Sequence, residues 1–291
     1  MKLKSNGHEL DTRSDKLGDL RDSIAVAEDV EALRARIAED GYLFLPGYLD
    51  REIVMAAREE IFRKWAAVGA IDMSYPLLDG IAAPPSERKE FDQAAFSRDL
   101  RTGPALRALC HQGQIIHFFE RFLGGEVRPL DYIWIRTVRV GGATGCHYDR
   151  VYMGRGTLNL YTSWIPLGDV PRTDGALLIL ENSHRLEELK SSYGAIDVDR
   201  DRANNPYGGG MLSRNPVEMQ QRFGGRWLTT DFRAGDLLVF TMFTLHCSLD
   251  NQSPVNRIRL SSDSRYQLAA EPADERWIGA DPIAHGPAAQ R

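Results

Sequence analysis

Apolar positions along the chain fall into two regimes. In the first third they recur at helical spacing. "EDVEALRARIAEDG" carries such a face and stops at Gly41. "YLFLPGYLD" is a short apolar run closed by Pro46 and Gly47, and it reads as a strand. Asp50 is then placed to cap a helix over "REIVMAAREEIFRKWAA", because its carboxylate can accept from the first free N–H groups. "GPALRALCHQGQIIHFFERFLGG" reads as a further helical region ending at Gly124 and Gly125. From about residue 126 the pattern shortens to strands: "DYIWIRTVRV", "GTLNLYTSWIPL", "GALLILENSH", "RWLTTDF", "GDLLVFTMFTLHCSL" and "RIRLSSDSRYQL". Each is bounded by Gly, Pro, Asn or Asp.

Short strands behind a helical block predict a β-sandwich or barrel with a helical support layer. The chain reads as one domain over residues 1–291. Residues 1–25 are polar and read as a loose tail, 26–125 as helical support and lid, and 126–270 as the β core. A polar stretch at 187–226, centred on "NNPYGGG", interrupts the strands and reads as a lid insertion. Residues 70–105, with Pro76, Pro84 and Pro85, read as an irregular surface excursion.

Composition narrows the function. The chain is 43% apolar and 26% charged with a net charge of −5, ordinary for a globular protein. No basic run exists to track a nucleic-acid backbone. No apolar stretch approaches the roughly 20 residues of a membrane helix. An odd count of cysteines, Cys110, Cys146 and Cys247, argues against a disulfide framework. With no apolar leader at the N-terminus, the expectation is a cytoplasmic protein without nucleic-acid or membrane partners. The oligomeric state is open, a homodimer being one option.

Chemistry enters at "GCHYDRVYMG", where His147 and Asp149 lie two apart. Chance alone supplies one such triplet in a chain of this composition, so context must carry it. On a strand, residues i and i+2 share a face. His246 at the end of "LLVFTMFTLH" offers a third ligand, and two histidines with one carboxylate form the open face typical of non-haem Fe(II) oxygenases. If the strands around "DNQSPVN" form a hairpin, Arg257 returns beside that face. It could then hold a carboxylate in two parallel hydrogen bonds. Ser248 shares the face of His246 and could add a hydroxyl. Arg259, two residues on, is the rival for the carboxylate, and Arg265 a weaker one.

These pieces resemble the phytanoyl-CoA dioxygenase family of Fe(II)/2-oxoglutarate oxygenases. The matching segments are "DGYLFLPGYLDREIV", "HYD" at 147–149, "WIPLGD" at 164–169, "GALLILENSHR" at 175–185, "GDLLVF" at 235–240 and "HCSLDNQSPVNRIRLS" at 246–261. The resemblance implies a mainly β fold with α support, a cupin-like double-stranded β-helix (jelly roll) with N-terminal helices packed on its major sheet. It implies Fe(II) on His147, Asp149 and His246. It implies 2-oxoglutarate held by Arg257 with help from Ser248 and with Trp164 nearby, and O2 as oxidant. A small organic metabolite or natural-product intermediate would be oxidised, most simply hydroxylated, with release of succinate and CO2. Asp149 is intact, whereas halogenating relatives carry a small residue there, which favours oxygenation. "ENSH" departs from the family's Pro-Gly-Ser-His, which weakens a shared role for His184.

Trp134, Arg136, Tyr152, Met153 and His184 are candidates for the substrate pocket. His111 and His117 sit in apolar helical context and read as structural, while Cys146 and Cys247 read as packing residues facing away from the metal. The competing function is a cupin-like metal-binding protein or non-oxidative metalloenzyme that does not use 2-oxoglutarate.

Overall fold

Cap residues and apolar runs set the elements locally. The computed structural model describes residues 2–290. Three short strands come first: β1 (Lys4–Ser5), β2 (His8–Glu9) and β3 (Leu17–Asp19). Helix α1 (Val30–Asp40) begins where Asp29 accepts from the Ala32 N–H and ends where Gly41 turns left-handed at φ 79°. Strand β4 (Tyr42–Leu45) leads to α2 (Arg51–Ala67), capped by Asp50 on the Glu52 N–H. Helices α3 (Gln93–Arg101), α4 (Pro104–His111) and α5 (Gly113–Leu123) follow. Strands β5 (Val127–Pro129), β6 (Trp134–Val138), β7 (Tyr161–Pro166) and β8 (Leu177–Leu180) come next. Helices α6 (Glu187–Ser191) and α7 (Pro216–Phe223) precede β9 (Trp227–Thr229), β10 (Leu237–Thr241), β11 (His246–Ser248) and β12 (Arg259–Leu268).

The strands form the expected jelly roll. One sheet has the order β4-β10-β7-β12-β5, with β6 also paired to β12; the other runs β11-β8-β9-β3. Alternation along β10 shows how the core divides. Leu237 and Val239 face the helices, beside Leu33 and Ile37 of α1, Phe62 of α2 and Phe119 of α5. Leu238 and Phe240 face the other sheet, in a cluster with Trp164 and Leu228. Both faces are buried, so the strand reads as the unbroken run "LLVF".

Three expectations change. Residues 2–25 are not a loose tail: β3 pairs in parallel with β9, and Leu10, Leu17 and Leu20 are buried in one apolar cluster with Met219, Trp227 and Leu228. Polar neighbours hide these three leucines from a reading by pattern. The 70–105 excursion contains α3 and buries Ile71, Ile81, Ala82 and Ala83. The run through "LLVFTMFTLH" is two strands, because the chain turns at 242–245 and His246 opens β11 in the opposite sheet. No helix among the described residues is long and apolar enough to cross a membrane.

Candidate metal centre

His147 and His246 meet across an antiparallel bridge. The His147 N–H donates to the His246 carbonyl at 3.0 Å, and the reverse bond is 3.2 Å. Directly opposed residues share a face, and the two ring centroids lie 4.2 Å apart. Asp149 arrives by a different route from the expected strand. It opens a single 3₁₀ turn over Asp149–Val151, which brings its carboxylate to the imidazoles. Its Oδ1 is 3.6 Å from His147 Nε2 and 3.8 Å from His246 Nε2. One ligand atom from each of the three lies within 4.8 Å of the others, and all three residues are buried.

A second layer sets the protonation of this trio. His147 Nδ1 is 2.8 Å from the Gly145 carbonyl, and His246 Nδ1 is 2.9 Å from the Thr244 carbonyl. A carbonyl can only accept, so both Nδ1 atoms carry the proton and both Nε2 lone pairs face Asp149. Burial pushes the His147 imidazole down to about 3, with His246 beside it adding to the effect. Burial likewise lowers His246. Burial alone would raise Asp149, but Arg265, the two imidazoles and the Thr162 hydroxyl outweigh it and hold the carboxyl well below the usual range. Near neutral pH the site is two neutral imidazoles and one carboxylate.

A small cavity adjoins the trio, lined by His147, His246, Trp164, Ser248, Arg136 and Arg259. Arg259 is 3% exposed; its Nη1 donates to Ser261 Oγ at 2.6 Å and its Nε has no partner. No carboxylate among the described residues lies within ion-pair distance of it. Burial accordingly pushes its guanidinium down to about 10. Arg136 donates through Nε to Asp263 Oδ2 at 2.9 Å.

Arg257, the expected carboxylate partner, is not in this cavity. Its side chain is 38% exposed and lies 3.5 Å from Asp174. The reason is topological. β11 and β12 belong to opposite sheets, so the chain between them crosses the sandwich rather than turning a hairpin. On the way, Arg257 pairs with Ile81, and its carbonyl accepts from the Asn251 side chain. Arg259 is the first residue of β12 and faces inward.

The substrate-pocket candidates divide. Tyr152 stands 5.5 Å from the His147 ring, edge-on. The Trp134 ring covers the Arg265 guanidinium at 4.1 Å. Both Trp134 and Arg136 line a second cavity of about 290 Å³ between α3 and β6, with Trp65, Phe96, Arg101 and Tyr132. Met153 is buried among Leu130, Leu160, Met242 and Trp277. His184 is elsewhere: its ring packs under Gly41, and Nε2 is 3.2 Å from the Ala38 carbonyl at the end of α1. The left-handed Gly41, with no side chain, makes room for that ring.

Sequence reading missed Thr162 and Asp263, and gave Arg265 only as a weaker rival for the cosubstrate carboxylate, not as the partner of Asp149. A signal was present in "RLSSDSR". Arg259, Ser261, Asp263 and Arg265 alternate on a strand buried on both faces. A polar residue at every second position there marks a face that lines a site.

The profile of the family described as Phytanoyl-CoA dioxygenase (PhyH) matches residues 37–259. The chain is 27% identical over 268 residues to a 1-deoxypentalenic acid 11-beta-hydroxylase of Streptomyces arenae, covering 88% of each protein. The counterpart from Streptomyces exfoliatus is 28% identical over the same length. Among solved structures, the epimerase SnoN, in complex with Fe3+, alpha ketoglutarate and nogalamycin RO, superposes with a TM-score of 0.58 at 22% identity. That match covers 89% of this chain and 94% of that one. EctD from S. alaskensis, in its apo form, gives 0.55 at 16% identity, covering 98% of this chain and 94% of that one. At these identities the two structures support the fold alone.

Proposed function

The chain belongs to the phytanoyl-CoA dioxygenase family, and from that premise we propose that it hydroxylates a small organic molecule as an Fe(II)/2-oxoglutarate-dependent dioxygenase. The residues present fit both groups. Two neutral imidazoles and a carboxylate suit Fe(II) and leave positions for other ligands. The unpaired buried guanidinium of Arg259 fits the far carboxylate of 2-oxoglutarate. That unpaired charge beside the trio is the observation that carries the reading. A cationic group in so dry a site is stable only with an anion to meet it.

When bound, iron and 2-oxoglutarate supply the oxidising chemistry, with release of succinate and CO2. The chain's own residues do the rest. His147, Asp149 and His246 would hold the ion. Arg259 would orient the cosubstrate, with the Ser248 hydroxyl and Trp164 completing that wall. The cavity between α3 and β6 would receive the substrate, its aromatic lining suited to an apolar body and Arg136 standing at the junction with the metal cavity. The Streptomyces relatives are named as hydroxylases of 1-deoxypentalenic acid, which supports a natural-product intermediate as substrate. Three free, buried cysteines agree with work in the cytoplasm.

Anaerobic titration of Fe(II) and 2-oxoglutarate into metal-free protein tests the reading. The weak visible charge-transfer band of the chelate is expected, and it should be lost in His246→Ala. Iron binding with no band in the wild-type protein would remove 2-oxoglutarate from the reading.

A further inference from the structure

We infer that Thr162 and Arg265 are positioning residues that turn a single oxygen of Asp149 toward the metal and thereby keep a coordination position free for dioxygen. The inference rests on the Fe(II)/2-oxoglutarate reading and deepens it. The two carboxylate oxygens of Asp149 have different surroundings. Oδ2 accepts from Thr162 Oγ1 at 2.5 Å and from Arg265 Nη2 at 2.8 Å. Oδ1 faces the Nε2 atoms of His147 and His246. Two donors occupy both lone pairs of Oδ2, so an ion drawn between the imidazoles meets Oδ1 alone.

The clamp is built on rigid elements. Thr162 and Arg265 are direct cross-strand partners of β7 and β12 in the middle of the larger sheet. Arg265 is 1% exposed, its Nε is 3.3 Å from Thr162 Oγ1, and the Trp134 ring covers its guanidinium. Turning the carboxylate to chelate would break a charge-assisted hydrogen bond inside this dry wall. The count of ligands shows why that matters. Two imidazoles and a single carboxylate oxygen would leave a position on the ion free for dioxygen beside 2-oxoglutarate. A chelating carboxylate would close it.

Nitric oxide, a dioxygen surrogate that binds Fe(II), tests this through electron paramagnetic resonance of the anaerobic Fe(II)/2-oxoglutarate protein. Thr162→Val removes a donor at nearly constant shape, Thr162→Ser keeps it, and Arg265→Met removes the second donor. The Thr162→Val/Arg265→Met double variant should still form the 2-oxoglutarate band but bind nitric oxide at least about tenfold more weakly. Thr162→Ser should match wild type, and Thr162→Val should lie between. Wild-type nitric oxide affinity in the double variant overturns the inference. If that variant does not fold, Thr162→Val alone decides, since equality with Thr162→Ser overturns it equally. Absence of the band in the wild-type protein would sink the underlying reading instead, and the clamp with it.

Discussion

A single residue, Ile258, separates two arginines with opposite surroundings. Arg257 faces solvent beside Asp174, and Arg259 is buried beside the metal trio with no carboxylate to meet. A hydrogen-bonded charge in a buried site contributes about 1.5–3 kcal/mol. Arg259→Met should therefore weaken 2-oxoglutarate binding roughly 10–100-fold, while Arg257→Met should change it less than about twofold. Titration of the charge-transfer band reads both. The opposite ranking would return the role to Arg257. Both arginines were visible as candidates in the sequence. What separated them was a sheet assignment that neighbouring residues do not encode.

Among the elements, helix α4 carries a group whose environment is set by packing. His111 is its last residue, and burial pushes its imidazole down to about 4, with Arg107 one turn earlier adding to the effect. The unfolded chain titrates this histidine near 6.5. Between those values the unfolded state binds the proton and the folded state does not. Stability is thus intact above 6.5 and falls as pH drops toward 4, by at most about 1.4 kcal/mol per unit. Urea unfolding at pH 7 and pH 5 should show wild type losing about 1–2 kcal/mol more than His111→Gln. Equal losses would mean that the histidine is solvated. The structural reading of His111 followed from its apolar helical context, whereas the direction of its shift needed the packed structure.

At the scale of the whole molecule, the N-terminal segment closes the smaller sheet. β3 lies on β9, Leu10, Leu17 and Leu20 are buried in one apolar cluster with Met219, Trp227 and Leu228, and Ser5 Oγ donates to the Ser248 carbonyl on the strand of His246 at 2.7 Å. Three buried leucines contribute on the order of 5 kcal/mol by area burial, comparable with the total stability of a typical domain. A chain lacking residues 1–20 should fail to unfold cooperatively and should bind Fe(II) poorly. Calorimetry and metal titration would show this. A truncated protein melting within a few degrees of the full chain would restore the loose-tail reading.

The sequence alone determined whatever depends on neighbours in the chain. Asp29 and Asp50 cap their helices, Gly41 and Gly124 end them, and "LLVF" is buried on both faces because its residues permit little else. The trio of His147, Asp149 and His246 was also legible, because the flanking segments resemble those of the family in order and spacing. Tertiary structure decided which charges meet. Asp149 reaches the imidazoles through a turn rather than a strand, and Arg265 rather than Arg257 is bonded to it. Arg257 is carried away from the trio, and Arg259 is brought beside it, because β11 and β12 lie in different sheets. Burial and partnership of a charged group depend on residues more than a hundred positions away, and only the closed sandwich brings those together.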